Sequence, residues 1–415
     1  MAVVLTRQKI LAETSFSGRV FAVTILLYPL VAVFSPKAMV PLLVLPALAL
    51  LFVKGNRGAV LRALPPVVTG LLAVLAAWSL VTIWWAPAPL DSLQLWFRVV
   101  GIGLCGMALI AAAAKVSAAD RRLLTNAFVA SGWFFVVLFG FELLTVGSLS
   151  RLALSVWNLL TPWDSEPPRP YLLLLQSSAA LAVFAWPCML AIARRTSTRA
   201  AMLFALAVAA LLLAQNMEAS LVAFATGIVV FGGVYKARRW GIAAFLAGLL
   251  LVNLALAQYA FEFVALEQRD GITLILSEST KERLYIIDFV YERINQYPVS
   301  GWGFDGSRAI GQDTLSGFGA DKSIPLHPHN LWAQTWLELG AVGLVLVIAL
   351  VAAVSMRLAA GPLGRASVST AALASYLLIG NISYGMWQNW WLAIAWLSAG
   401  FLAVMMNRED GADEP

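Results

Sequence analysis

Apolar runs of about 17–25 residues recur along nearly the whole chain, parted by short polar loops, and each is long enough to cross a hydrocarbon layer about 30 Å thick. They predict about twelve membrane helices, near 19–35, 38–53, 66–84, 96–114, 124–146, 171–193, 199–214, 219–235, 240–260, 331–354, 366–384 and 387–406. Backbone polar groups in lipid must be satisfied within their own segment, so the expected fold is an all-α integral membrane bundle. Alternate loops carry the cations: Lys54, Arg57 and Arg62; Lys115, Arg121 and Arg122; Arg194, Arg195 and Arg199; Lys236, Arg238 and Arg239; Arg357 and Arg365. The intervening short loops, "SPK" near 36, "QNMEAS" near 217 and "NISYGMWQN" near 385, are nearly free of them. By the positive-inside rule, the basic loops and both termini are expected on the cytoplasmic side.

Composition sharpens the class. Hydrophobic residues make up 61% and charged residues 12%, with a mean hydropathy of +0.82, against about 25% charged in soluble domains. The net charge of +6 sits mostly in the basic loops, where anionic lipid headgroups account for it and no nucleic-acid partner is needed. Cys105 and Cys188 both fall inside expected spans and suggest neither a disulfide framework nor a metal site. The N-terminal "MAVVLTRQKILAETSFSGR" is too mixed for a cleavable leader, so the first span is expected to stay as an anchor.

The alternation breaks at two longer loops on the outer side. The first, 147–170, has an apolar stripe at helical spacing and two tryptophans, Trp157 and Trp163, which suit an interface-lying connector. The second, 262–330, is the largest polar region. Its "SESTKERLYIIDFVYERINQYP" reads as an amphipathic helix lying on or near the outer membrane face, and "GWGFDGSR" as a glycine-rich turn. The chain thus divides into 1–261 (nine spans), 262–330 (the large loop) and 331–415 (three spans and a tail).

The two histidines of the chain, His327 and His329, stand together in "HPHN" where that loop meets the tenth span. Histidine can accept a proton at neutral pH, which a weakly nucleophilic hydroxyl requires of a general base. Asn330 is a good N-cap for the helix through "LWAQTWLELGAVGLVLV", whose positive end would keep His329 neutral. "His-Pro-His" has no third ligand nearby, which argues against a metal and leaves no cofactor expected. His327 is a supporting or acceptor-side residue. Glu338, at membrane depth, is too costly a charge to be idle; it would orient His329 or an arginine. No phosphate-binding glycine loop, zinc motif or Ser–His–Asp order stands out.

"HN" followed by nine residues, Gly340, two residues and Gly343 resembles the signature of the O-antigen ligase and Wzy polymerase superfamily, and "RLYIIDFVYERINQYPVSGWGFDGSR" resembles its upstream block. The resemblance implies a GT-C-like fold in a bacterial inner membrane, with a large periplasmic loop between helices 9 and 10. It also implies inverting, metal-independent transfer of a glycan from undecaprenyl diphosphate to a hydroxyl of a lipid A-core or of a growing glycan. In that scheme His329 assists the acceptor hydroxyl and loop arginines hold the diphosphate: Arg283 first, then Arg308 and Arg293. The sequence departs from the family at "AQNMEASLVAF", where Glu218 stands in place of a hairpin arginine. A carboxylate cannot bind a diphosphate, so Arg98 or Arg169 would take that part, or Glu218 would hold one of them.

Ligation to lipid A-core is the leading reading and polymerisation of O-antigen, capsule or exopolysaccharide repeats the second. A small-solute transporter ranks below both, because transporters keep charged or broken-helix sites at mid-membrane, whereas here the ionisable residues gather outside the spans.

Overall fold

The computed structural model describes residues 14–160, 170–215, 218–270, 278–310 and 327–406. Among the described residues the ordered elements are helical: α1 (Phe16–Phe34), α2 (Met39–Leu51), α3 (Pro66–Thr82), α4 (Pro89–Ala113), α5 (Ala118–Leu144), α6 (Ser148–Leu160), α7 (Pro170–Arg195), α8 (Thr198–Ala214), α9 (Glu218–Ala237), α10 (Arg239–Asp270), α11 (Glu278–Gln296), α12 (Ser307–Ile310), α13 (Leu331–Ala359), α14 (Leu363–Ile382) and α15 (Asn389–Met406), with short 3-10 turns between some of them.

Every expected span coincides with a helix, but nine of the described helices are long and apolar enough to cross a membrane. Pro36–Leu51 and Thr198–Ala214 are shorter apolar helices. α14 carries Ser367, Ser369, Thr370, Ser375 and Asn381, all buried inside the bundle. The helices α4 and α5 begin one to two turns earlier than the apolar pattern expects. Pro89 occupies the first turn of α4, and Ser117 with Asp120 forms a capping box at α5, so polar first turns fold as helix too.

Aromatic stacking and small-residue contacts hold the bundle together. Tyr28 of α1 stacks on Phe184 of α7 at 4.2 Å, with Phe128, Phe135 and Phe401 closing around them. The Ser131 hydroxyl donates to the Ile25 carbonyl, joining α5 to α1. On the other side Gly227 of α9 lies so close to Trp186 and Ser375 that a Cβ there would collide with both. Without a hydrophobic drive between helices in lipid, such close approaches and buried hydrogen bonds supply the association.

The basic loops converge on one end of the bundle. Asp120 accepts from the Ser15 backbone and hydroxyl, Lys115 donates to Gly55 O and Asn56 Oδ1, Arg195 to Asn126, Arg194 to the Met405 carbonyl and Arg365 to the Met406 carbonyl. The histidines and the glycine-rich turn sit at the opposite end. There Glu142, buried at the end of α5, accepts from the Leu149 and Ser150 backbone N–H groups and so anchors the first turn of α6.

Two expectations are corrected. α11 does not rest on a membrane face alone: Ile286, Val290 and Ile294 pack on Ala333 and Leu337 of α13, and Leu284, Tyr285 and Ile287 on Ala260, Phe263 and Val264 of α10. Both its apolar stripes therefore find protein partners. Nor is α13 a continuous helix, since Gly340 breaks it with φ 67° and ψ −172°. The freed carbonyls are taken up by other segments: Leu337 O accepts from the Trp302 N–H, Glu338 O from the Gly303 N–H and Leu339 O from the Trp78 indole. Across the break the Ala341 N–H donates to Pro298 O. Irregular backbone at such depth persists only where neighbours satisfy it, and here the "PVSGWG" turn does so.

Candidate active site

Asn330 caps α13 through Oδ1, which accepts from the Ala333 N–H at 2.8 Å, while its amide nitrogen donates to Asn253 Oδ1 of α10 at 2.8 Å. This fixes the residue before the helix, His329, in a left-handed backbone conformation with φ 54°. Among the described residues four non-glycine positions have positive φ, and two of them, His329 and Asp305, belong to this site. Such conformations cost of order 1–3 kcal/mol each and persist where surrounding contacts over-determine them.

The His329 ring is oriented from α14. Its Nδ1 lies 2.8 Å from the Ser383 carbonyl, which can only accept, so Nδ1 carries the proton and Nε2 presents its lone pair. Burial holds the ring's pKa below the ordinary imidazole value, and the nearby Arg283 guanidinium acts the same way, against the Ser383 hydrogen bond and Glu282. A neutral ring with a free Nε2 is what a proton acceptor needs.

His327 is in a different situation. Its ring meets the His329 ring edge-on at 4.3 Å between centroids. The His329 N–H faces its Nδ1 at 3.3 Å and the Gln388 amide nitrogen faces its Nε2 at 3.0 Å. Both neighbours are donors, so an imidazolium would set donor against donor at both ring nitrogens, the neutral ring at only one. Burial, with His329 and Arg308 adding to it, takes the pKa down to about 3. His327 is a fixed neutral strut between His329 and the loop after α14, where Gly385 packs against its ring.

Glu338 is fully buried and accepts four hydrogen bonds: from the Asp305 N–H (3.0 Å), the Ser307 hydroxyl (2.6 Å), the Gln334 amide (3.0 Å) and the Trp387 indole (2.6 Å). It contacts neither His329 nor an arginine. Instead it pins the "GFDGS" turn to the loop before α15, and that turn aims Asp305 at Arg308, Oδ1 to Nε at 2.8 Å. Asp305 escaped the sequence reading. Burial, then the Glu338 charge, pushes its pKa up to about 7 against the pull of Arg308.

The cations divide into two groups. Arg283 lies on the exposed side of α11, close enough to His329 to act on its charge. Arg308 and Arg98 line a cleft of about 790 Å³ together with Lys37, Asp91, Gln94, Gln176, Asp305, Trp387, Gln388, Asn389 and Trp390. Arg98 lies in α4, nine residues after its start at Pro89. Lys37, in a loop that looked poor in cations, is an unforeseen member. Arg293 packs its guanidinium over Phe289 at 4.8 Å. Glu218 is exposed at the start of α9 and is not among the residues of the cleft. Arg169 lies outside the described residues, as does Trp163.

With this geometry in view, comparison with known proteins is informative. The O-antigen ligase family model matches residues 203–348, a stretch that holds Arg283, Asp305, Arg308, both histidines and Glu338. A protein of Rickettsia felis named as a polysaccharide ligase is 27% identical over 328 residues, 76% of this chain and 75% of its own. One of Rickettsia bellii with the same name is 28% identical over 330 residues, 77% of this chain and 75% of its own. A third, from Rickettsia prowazekii, is 34% identical over 139 residues, 32% of this chain and 33% of its own.

Proposed function

We propose, from the premise that the chain belongs to the O-antigen ligase superfamily, that it transfers a glycan from undecaprenyl diphosphate to a hydroxyl of a lipid A-core acceptor. The reaction takes place on the periplasmic face of a bacterial inner membrane. The observation that carries the chemistry is the His329 ring, half-buried and neutral, with Nδ1 committed to Ser383 and Nε2 available.

His329 Nε2 takes the proton of the acceptor hydroxyl as that oxygen bonds to the anomeric carbon. The bond from that carbon to the diphosphate oxygen breaks, and the lipid diphosphate leaves with the electron pair and the negative charge. Inversion follows, because attack and departure occur on opposite faces of the carbon. Arg283, whose charge reaches His329, neutralises the departing diphosphate; a guanidinium suits phosphate oxygens by bidentate pairing. Arg308 and Arg98 bind anionic groups in the neighbouring cleft. A twelve-span topology with cytoplasmic termini, the reading the positive-inside rule favours, would put the basic end inside and the histidine end in the periplasm. The names of the relatives favour ligation over polymerisation.

Lipopolysaccharide from a deletion strain tests the reading. Ligation is supported by lipid A-core free of polymer, together with accumulated long lipid-linked chains. Cores bearing a single repeat identify a polymerase, and an unchanged profile overturns transfer to lipopolysaccharide altogether.

A further inference from the structure

We infer that the cleft lined by Lys37, Arg98, Arg308, Asn389 and Gln176 is a binding site for an acidic saccharide, one bearing a phosphate or carboxylate, and that it receives the accepting glycan; the second half of this inference rests on the proposed function.

The cleft combines two demands. Lys37 and Arg98 have no hydrogen-bond or ion-pair partner among the described residues, and Arg308 is half exposed with one contact, to Asp305. Three cations facing two carboxylates, Asp91 and Asp305, leave an excess of positive charge that calls for an anionic group. Yet the same walls also present bare acceptors. Asn389 Oδ1 is buried without a hydrogen-bond partner, and the exposed Asp91 carboxylate also lines the cleft. An unsatisfied buried acceptor is costly and requires a donor. A diphosphate esterified at both ends is fully ionised and offers acceptors alone; sugar hydroxyls offer donors and acceptors together.

The remaining lining fits the same ligand. The side chains of Gln94 and Gln176 are amides, able to donate and accept at once, and the rings of Trp387 and Trp390 have their N–H groups already committed to Glu338 and Gln388, which leaves their faces as apolar wall. A volume of about 790 Å³ lies within the range of small-ligand sites, roughly 300–1,000 Å³.

The cleft adjoins the histidines on the His327 side. Gln388, one of its walls, contacts His327, and Arg308 acts on His327, whereas Arg283 acts on His329. With the leaving diphosphate at Arg283, an inverting displacement needs the acceptor to approach from elsewhere, and the cleft supplies that approach.

The test uses the full chain in lipid nanodiscs, titrated with methyl glucoside 6-phosphate, neutral methyl glucoside and inorganic diphosphate. The phosphorylated sugar is expected to bind at least about ten-fold more tightly than either of the others, and Arg98→Gln to weaken it by about ten-fold or more, the loss typical of one charged hydrogen bond. Asn389→Leu should do the same; if that variant fails to fold, exposed Arg98 carries the test. Inorganic diphosphate binding as tightly as the phosphorylated sugar overturns a saccharide site, and equal binding of the neutral sugar overturns its acidic character. In transfer assays the phosphorylated sugar should raise the KM for acceptor and leave that for donor unchanged; competition with donor overturns the acceptor assignment. Binding is expected to survive in His329→Ala, so failure of the transfer reading and failure of this site are read separately.

Discussion

His329 donates its Nδ1 proton to the carbonyl of Ser383, 54 positions away on the loop after α14, at 2.8 Å. That bond selects the tautomer and points Nε2 away from the protein's own acceptor. Because burial lowers the ring's pKa below 6.5, the base form prevails throughout the neutral range. Transfer is therefore expected to hold level from pH 8 down to about 6.5 and to decline only at lower pH. A rate profile with an acid limb centred above the ordinary histidine value would contradict a half-buried, neutral base.

Asp305 gives a second pH dependence, of opposite sense. Its folded pKa of about 7 lies above the ordinary 3.8, so its contribution to stability is present below 3.8 and is lost as pH rises through 7. Asp305→Asn mimics the protonated form. Relative to the wild type, its melting temperature is expected to rise between pH 4 and pH 8, with a ceiling of about 4 kcal/mol for a shift of this size. A constant difference across that range would show that Asp305 titrates normally. Arg308, freed from its partner, should at the same time lose its fixed position in the cleft.

Gly340 allows no side chain. Its φ of +67° disfavours one, and a Cβ would run into the Val299 carbonyl of the turn that satisfies the broken helix. Gly340→Ala is expected to cost about 1–3 kcal/mol or more, seen as a lower melting temperature and faster proteolysis within 297–303. Gly70, where a Cβ meets nothing within 4 Å, serves as the control: Gly70→Ala should leave both measurements near wild type.

Glu338→Gln keeps the shape of the side chain and reverses part of its chemistry. The four groups that meet the carboxylate are donors, so a glutamine nitrogen would face at least one donor with another, at about 1–3 kcal/mol for each donor left unsatisfied. Thermal unfolding in detergent should register this as a lower melting point than wild type. Wild-type stability in this variant would mean that Glu338 does not hold the turn to the loop before α15.

Some of this was legible in the chain and some was not. The spacing of "HN", Gly340 and Gly343 was legible because local geometry demands it: Asn330 caps, and a glycine ten residues beyond it opens the helix for the "PVSGWG" turn. The break itself was not visible, since "LWAQTWLELGAVGLVLV" carries an unbroken apolar pattern. Lys37, Gln176, Asn389 and Arg98 could not be grouped from sequence, because they come from different segments and meet only when α4, α7 and the start of α15 pack. Asp305 was hidden for a related reason: on an exposed turn an aspartate is ordinary, and it becomes unusual only when Glu338 lies buried beneath it. The helical bundle, by contrast, followed from hydrophobic run lengths alone, save for α2, α8 and α14, which are shorter or more polar than a free-standing span.

The central claim is that the Nε2 lone pair of His329 accepts the proton of an attacking hydroxyl. It is tested most directly by His329→Ala, purified in nanodiscs and assayed for transfer from a lipid-diphosphate-linked glycan, with insertion and melting temperature checked against wild type. Loss of transfer by about 100-fold or more, the lower range for a general base, in a protein that still folds is the expected result. Full transfer by a folded His329→Ala protein would contradict the account.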